Sequence, residues 1–208
     1  LLSFNSLSRG SEDLENQLYH RLRLRYFNFN MFKGVTLSTG FSYTKRERSI
    51  RSRTEIEGID QVNTLFYTDL PENSYNLNFM YSKRLGKWHL SLSTSASLRD
   101  YIRIINDAET DFDSQNLNYD LKAETRFKDW PNFEFGFSQT FNSLNSDTFD
   151  NDFMQIQPYV FVEYDFLEDF LFKFDYRYNY FENRSQNTFN RFEMGGASLE
   201  YWKESCAW

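Results

Sequence analysis

Catalytic chemistry comes closest at His89 and Ser91, which sit two residues apart and share one face of an extended chain. No Gly-x-Ser-x-Gly sequence surrounds them, and the sequence identifies no carboxylate to orient the imidazole. A structural histidine is the expectation, and no catalytic residue is assigned. The other soft ligands are His20 and Cys206, too few for a zinc site. Asp107, Glu109, Asp111, Asp113 and Asp147, Asp150, Asp152 offer hard oxygens for Ca²⁺. They lack the EF-hand spacing and its turn glycine, so they read as solvated segments, and neither a metal nor a cofactor is expected.

The remaining chemistry lies in charges set at every second position. Arg21, Arg23 and Arg25 alternate with Leu22 and Leu24. Lys122, Glu124 and Arg126 alternate with Leu121, Ala123 and Thr125; Glu134 lies between Phe133 and Phe135; Lys173, Asp175 and Arg177 alternate with Phe172, Phe174 and Tyr176. A period of two puts each set on one face of a strand, opposite an apolar face. These ten side chains are expected to face a wet interior. There they contact a plug or line a solute path, or pair with each other across neighbouring strands at about 0.2–1 kcal/mol per pair. A basic run, Lys45, Arg46, Arg48, Arg51 and Arg53, either meets lipopolysaccharide phosphates, which arginine grips bidentately, or lies in a solvated loop.

Long strands must carry these residues. From Leu117 to Phe141 alternation runs through Phe127, breaks at Lys128–Asn132 and resumes from Phe133, which predicts two antiparallel strands and a tight turn. Similar patterns predict strands from about Gln17, Val35, Tyr75, Trp88, Ile156, Phe170 and Phe192. Parity flips at Tyr26–Phe27, read as a bulge, and at Gly195–Gly196. Connections alternate: short after Phe32, Ser82, Phe127 and Phe166, and long and polar after Tyr43, Ile105, Asn142 and Phe181. Tyr43, Tyr81, Trp88, Tyr101, Tyr119, Trp130, Tyr164 and Tyr180 fall near strand ends, as an interfacial aromatic girdle requires.

An aromatic content of 20% excludes a disordered chain. A net charge of −7 argues against nucleic acid as partner. No apolar run reaches the ~18 residues of a membrane helix, and the first ten residues carry no signal-peptide pattern. A soluble β-sandwich also alternates, but its strands average about 5–6 residues, whereas several here sustain alternation for roughly 11–13. The expected fold is all-β: a transmembrane antiparallel up-and-down β-barrel of about nine strands, with 1–208 one segment of a larger barrel. An odd strand count and a last stretch that stops as a strand begins carry the second part of that expectation.

In texture, SFNSLSRG, FKGVTLSTGFSYTKRERSI, YSKRLGKWHLSLS and DFLFKFDYRYNYFEN before SLEYWKES resemble the C-terminal half of the large outer-membrane β-barrel receptors of Gram-negative bacteria, related to TonB-dependent transporters. The resemblance implies a barrel of about 22 strands plugged by an N-terminal domain, in the bacterial outer membrane among its lipids and lipopolysaccharide. It also implies nutrient uptake driven by TonB, through a plug and an N-terminal box that these residues do not include; with no rim triad in the sequence, no enzymatic activity is expected. The alternative is a small structural or adhesive outer-membrane barrel without transport.

Overall fold

Sustained alternation of apolar and polar residues favours strands that satisfy their backbone by pairing sideways. In the computed structural model, which describes residues 5–9, 16–57, 60–105, 108–147, 149–166 and 169–201, that pairing builds one eleven-stranded sheet. The strands are β1 (Asn5–Arg9), β2 (Leu18–Asn30), β3 (Val35–Glu57), β4 (Asp60–Thr68), β5 (Glu72–Leu85) and β6 (Trp88–Ile105). Then come β7 (Ala108–Thr125), β8 (Asn132–Ser146), β9 (Phe149–Phe166), β10 (Phe170–Asn183) and β11 (Thr188–Tyr201). No helix occurs among the described residues. From β5 onward each strand pairs antiparallel with the next, giving an up-and-down sheet.

The sheet departs from simple succession only around β3. That strand is 23 residues long and serves two levels. Its first half lies between β2 and β5, and its second half pairs with β4. In the sheet order β4 and β5 flank β3 on opposite sides; above the end of β5, Thr54 of β3 pairs with Ile105 of β6, and β1 pairs parallel with β4.

One end of the sheet is closed by tight turns. In the β2–β3 turn Asn30 Oδ1 accepts from Lys33 N at 2.9 Å, and Gly34 takes φ +58°. A Cβ at Gly34 would stand 2.9 Å from Arg84 Cβ, so both its φ and its crowding favour glycine. Between β7 and β8 the Asn132 amide spans the turn, accepting from Phe127 N at 2.6 Å and donating to Phe127 O at 3.2 Å.

At the other end the hairpins finish in a staircase. β6 runs on to Ile105 past Tyr101, which pairs with the first residue of β5, Glu72. β7 runs on to Ala108 past Phe112, which pairs with the last residue of β8. β9 runs on to Phe149 past Phe153, which pairs with the last residue of β10. From β7 to β10 the steps descend in one direction, which is the shear that tilted strands impose on a curved wall, whereas β6 rises above the strand before it.

Three sequence expectations are corrected. The segments read as long loops after Tyr43, Ile105, Asn142 and Phe181 are mostly strand: β3 and β4 occupy most of 45–73, and β7 starts at Ala108. β4, inside the first of these segments, and β1, near the start of the sequence, bring the expected nine strands to eleven among the described residues. There is no bulge at Tyr26–Phe27; pairing runs unbroken from Tyr19↔Arg46 to Asn30↔Val35, and the register shift lies between Leu18 and Tyr19. Gly195–Gly196 shifts nothing either, since β11 keeps one register along β10. In both cases the tight hairpin fixes the register, and the edge strand tolerates aromatics on the wrong face.

Cross-strand partners share a face, so the registers sort every side chain. One face carries Phe41, Leu77, Ala96, Leu117, Phe141 and Met154 in a single row, with similar apolar rows below it. The other is polar. Among the described residues Tyr101 is the sole buried apolar side chain, so no hydrophobic core exists. The accessible surface is 15289 Å², against roughly 10,000 Å² for a compact soluble chain of this mass.

Candidate functional site: the polar face

The ten charged residues singled out by alternation lie on this second face, except Arg126, which follows β7 directly. Near the tight turns four of them form one network. Lys122 Nζ stands 3.1 Å from Glu124 Oε2 and 2.8 Å from Glu134 Oε2, and Arg126 Nη2 is 3.0 Å from Glu124 Oε1. His89 Nδ1 lies 3.0 Å from the same Oε1. Tyr159 donates to Glu134 Oε1 at 2.9 Å, and its ring covers Gly136, where a Cβ would overlap it.

Lys173 pairs with Glu200 across β10–β11 at 2.9 Å. Arg177 stands 5.9 Å from the Tyr159 ring centroid, and Asp175 lies beside Gly196. On the edge strand β2, Arg21 Nε donates to Thr44 Oγ1 at 3.2 Å; Arg23 and Arg25 have no ion pair among the described residues. The charges thus pair with their own neighbours over β7, β8, β10 and β11 and stay uncompensated on β2.

At mid-height the face is uncharged and amide-rich. Asn118 Nδ2 donates to Asn116 Oδ1 at 2.6 Å and to Ser95 Oγ at 3.2 Å, and Thr140 Oγ1 donates to Asn118 Oδ1 at 2.8 Å. Gln157 Nε2 donates to Asn179 Oδ1 at 2.5 Å. Such a chain pairs most of its polar groups along the wall itself, although the buried Asn179 Nδ2 has no partner among the described residues. Each strand touches only its ladder neighbours, apart from the β3–β6 contact.

Above the amides the face turns basic. Glu72, only 5% exposed, accepts on Oε1 from Arg46 Nη1 at 3.1 Å and from Arg99 Nε at 2.8 Å. Arg99 and Arg103 flank Tyr101 at 4.7 and 5.1 Å from its centroid, and Phe112 stacks on Tyr101 at 5.4 Å.

The basic run of the sequence is divided by strand parity. Arg46 points to the polar face; Arg48 pairs with Leu18 across the register shift, its Nε 3.4 Å from Asp69 Oδ1. Lys45 points to the other face, above its apolar rows, and bonds Glu47 at 2.9 Å. That contact raises the Lys45 ammonium above its ordinary pKa and holds the Glu47 carboxyl below its own. The side chains of Arg51 and Arg53 lie outside the described residues, as do Asp107 and Cys206. In place of a single basic loop there is a strand with charges on both faces.

The aromatic set divides too. Tyr43 and Tyr180 lie toward the staircase end of the apolar face; Tyr81, Trp88 and Tyr164 lie toward the turns, with Trp130 at a turn tip and 74% exposed. Tyr101 is instead on the polar face, held by its arginines. Tyr119 is on the apolar face but in mid-strand, level with Thr94 and Gln139.

Sequence reasoning missed Glu124 as the partner of His89 because 35 residues separate them. Counting back through the β6–β7 hairpin would have paired them. Ser91 stands opposite Lys122 and makes no hydrogen bond to His89. Among the described residues no three His, Cys, Asp or Glu side chains converge on a metal position.

No protein-family model matches this sequence, and no curated protein matches it. Among solved structures the chain is similar to OmpT (in-vitro folded), an outer membrane protein of Vibrio cholerae in its trimer form, at 14% identity and a TM-score of 0.40. That similarity covers 89% of this chain and 56% of the other, so the chain spans little more than half of the structure it matches.

Proposed function

We propose that this chain is wall of an outer-membrane β-barrel receptor that takes up a nutrient, its apolar face in lipid and its polar face lining a wet lumen. The observation that carries the reading is an apolar face with no core behind it. Large hydrophobics such as Leu77, Leu90, Leu121, Phe135 and Phe174 remain exposed, and only a hydrocarbon solvent makes that arrangement stable. The descending stagger from β7 to β10 fits the shear of a barrel, and polar groups paired along one wall suit a lumen too wide for wall-to-wall contact. The tall hairpins at the staircase end would meet the solute first, and the charged face would conduct it inward. A plug and TonB would act through further parts of the protein.

Single cysteines placed from Leu117 to Lys122 and spin-labelled in lipid vesicles test the wall. Leu117, Tyr119 and Leu121 should favour oxygen, and Asn118, Asp120 and Lys122 a water-soluble nickel complex. Equal access of the nickel complex to both sets would refute a membrane wall. For uptake, a strain lacking the protein should lose growth on at least one scarce nutrient while its envelope stays intact. Unchanged growth with altered surface attachment would select the adhesive reading instead.

A further inference from the structure

Three guanidinium groups gather where β5 stops and β6 runs on beyond it with β7. Arg46 and Arg99 share one oxygen of Glu72 through one nitrogen each, although an arginine carries five N–H donors in a planar fork. Arg103 has no carboxylate partner among the described residues and rests between the rings of Tyr101 and Phe112, 5.1 and 5.4 Å from their centroids. Among the described residues, three cations and one carboxylate leave two positive charges together on this patch. If Arg46 and Arg99 served only to fix the hairpin, Glu72 would already do it, and a third uncompensated cation beside them would add only repulsion.

The same residues line a cavity of 330 Å³, completed by apolar walls that include Leu65 and Phe66. We propose that Arg46, Arg99 and Arg103 bind the phosphate group of a phosphomonoester whose body is apolar or aromatic. A phosphomonoester dianion matches the two unbalanced charges, and guanidinium forks match its oxygens bidentately. The apolar walls and the Tyr101 ring take the rest of the solute. Flanking Tyr101 on both sides holds two of the forks in place before the ligand arrives, so less freedom is lost on binding. This proposal rests on the lumen reading and names the class of solute that the lumen would admit.

Titration of the native protein in detergent micelles with phenyl phosphate, inorganic phosphate, benzoate and phenol tests it. Phenyl phosphate should bind saturably, more tightly than inorganic phosphate or benzoate, and phenol should not bind. Arg103→Gln and Arg99→Gln should each weaken phenyl phosphate about 10-fold or more, and added salt should weaken it as well. Lys128→Gln, in the turn at the far end of the sheet, should leave it unchanged. Arg103→Gln breaks no ion pair, so it keeps the test sound even if Arg99→Gln misfolds. Benzoate binding as tightly as phenyl phosphate would overturn the phosphate assignment. Wild-type-like binding by Arg103→Gln, or no saturable binding by the native protein, would overturn the site. If spin-label access still alternates in that case, only the site is lost; if it does not, the wall reading goes first.

Discussion

Glu124 is the residue on which the network near the turns converges. His89, Lys122 and Arg126 all reach it, and its side chain is only 17% exposed. Replacing it by glutamine removes the charge that Lys122 and Arg126 share and that His89 Nδ1 faces, while keeping its volume. We expect Glu124→Gln to destabilise the protein by about 1–3 kcal/mol, the usual cost of stranding part-buried charged donors. A double-mutant cycle with Lys122→Met, read by heat-dependent gel mobility, should show coupling of roughly 1 kcal/mol. No coupling would mean that the network is a surface coincidence. Gly136 is the second sensitive point, because the Tyr159 ring lies where a Cβ would go. Gly136→Val should push the ring aside, break its bond to Glu134 and cost about 1–3 kcal/mol. In a Tyr159→Ala background the same change should cost far less, and an equal cost in both would discount the ring as the cause.

At the scale of elements, alternation in the sequence marked the lower half of nearly every strand, because there one face of the sheet is apolar and the other polar. It marked the upper halves poorly. Beyond Tyr43, β3 reads TKRERSIRSRTEIE, polar on both sides, which is what a ribbon wetted on both faces should look like. Such a segment is indistinguishable by pattern from a loop, and its pairing with β4 had no apolar signal to announce it. The false bulge at Tyr26–Phe27 has a related cause. Phe27 and Phe29 sit on the polar face of the outer strand β2, while Asn28 takes the apolar face and donates to Tyr26 Oη at 3.2 Å. Turn chemistry set the register, and hydrophobicity yielded. The candidate site was half legible: parity placed its charges on one face, but the Arg46–Glu72–Arg99 group needed a pairing of β3 with β5 across an unrecognised hairpin. Removing residues 50–66 behind a short turn should leave β5–β11 folded, since only β3 and β1 pair with β4. Loss of heat-dependent mobility in that variant would show that the tall hairpin supports the whole sheet.

For the molecule as a whole, both lateral edges matter. The outer side of β2 and of β11 pairs with no strand among the described residues, and backbone groups left open in hydrocarbon cost several kcal/mol each. A small barrel made of this sheet alone would close β2 onto β11. On the wide-lumen reading those edges meet other strands. Cysteines scanned along Leu22–Asn28 and Phe189–Leu199 should then form no disulfide with one another in the native membrane. Ready cross-linking at one register would select the small barrel and exclude the wide receptor.

On the outer-membrane reading, with this end outward, the uneven hairpin ends would decide what the cell shows its surroundings. β3 rises from Tyr43, its last outward apolar residue, to Glu57, roughly 45 Å at the usual rise per residue. On β10 the corresponding climb, from Tyr180 to Asn183, is only about 10 Å. The surface profile is therefore a ramp with one tall crest. Antibodies, phage tails and shaving proteases would all meet the β3–β4 crest well before the low side, so selection by predators and immunity should fall chiefly on residues 44–68.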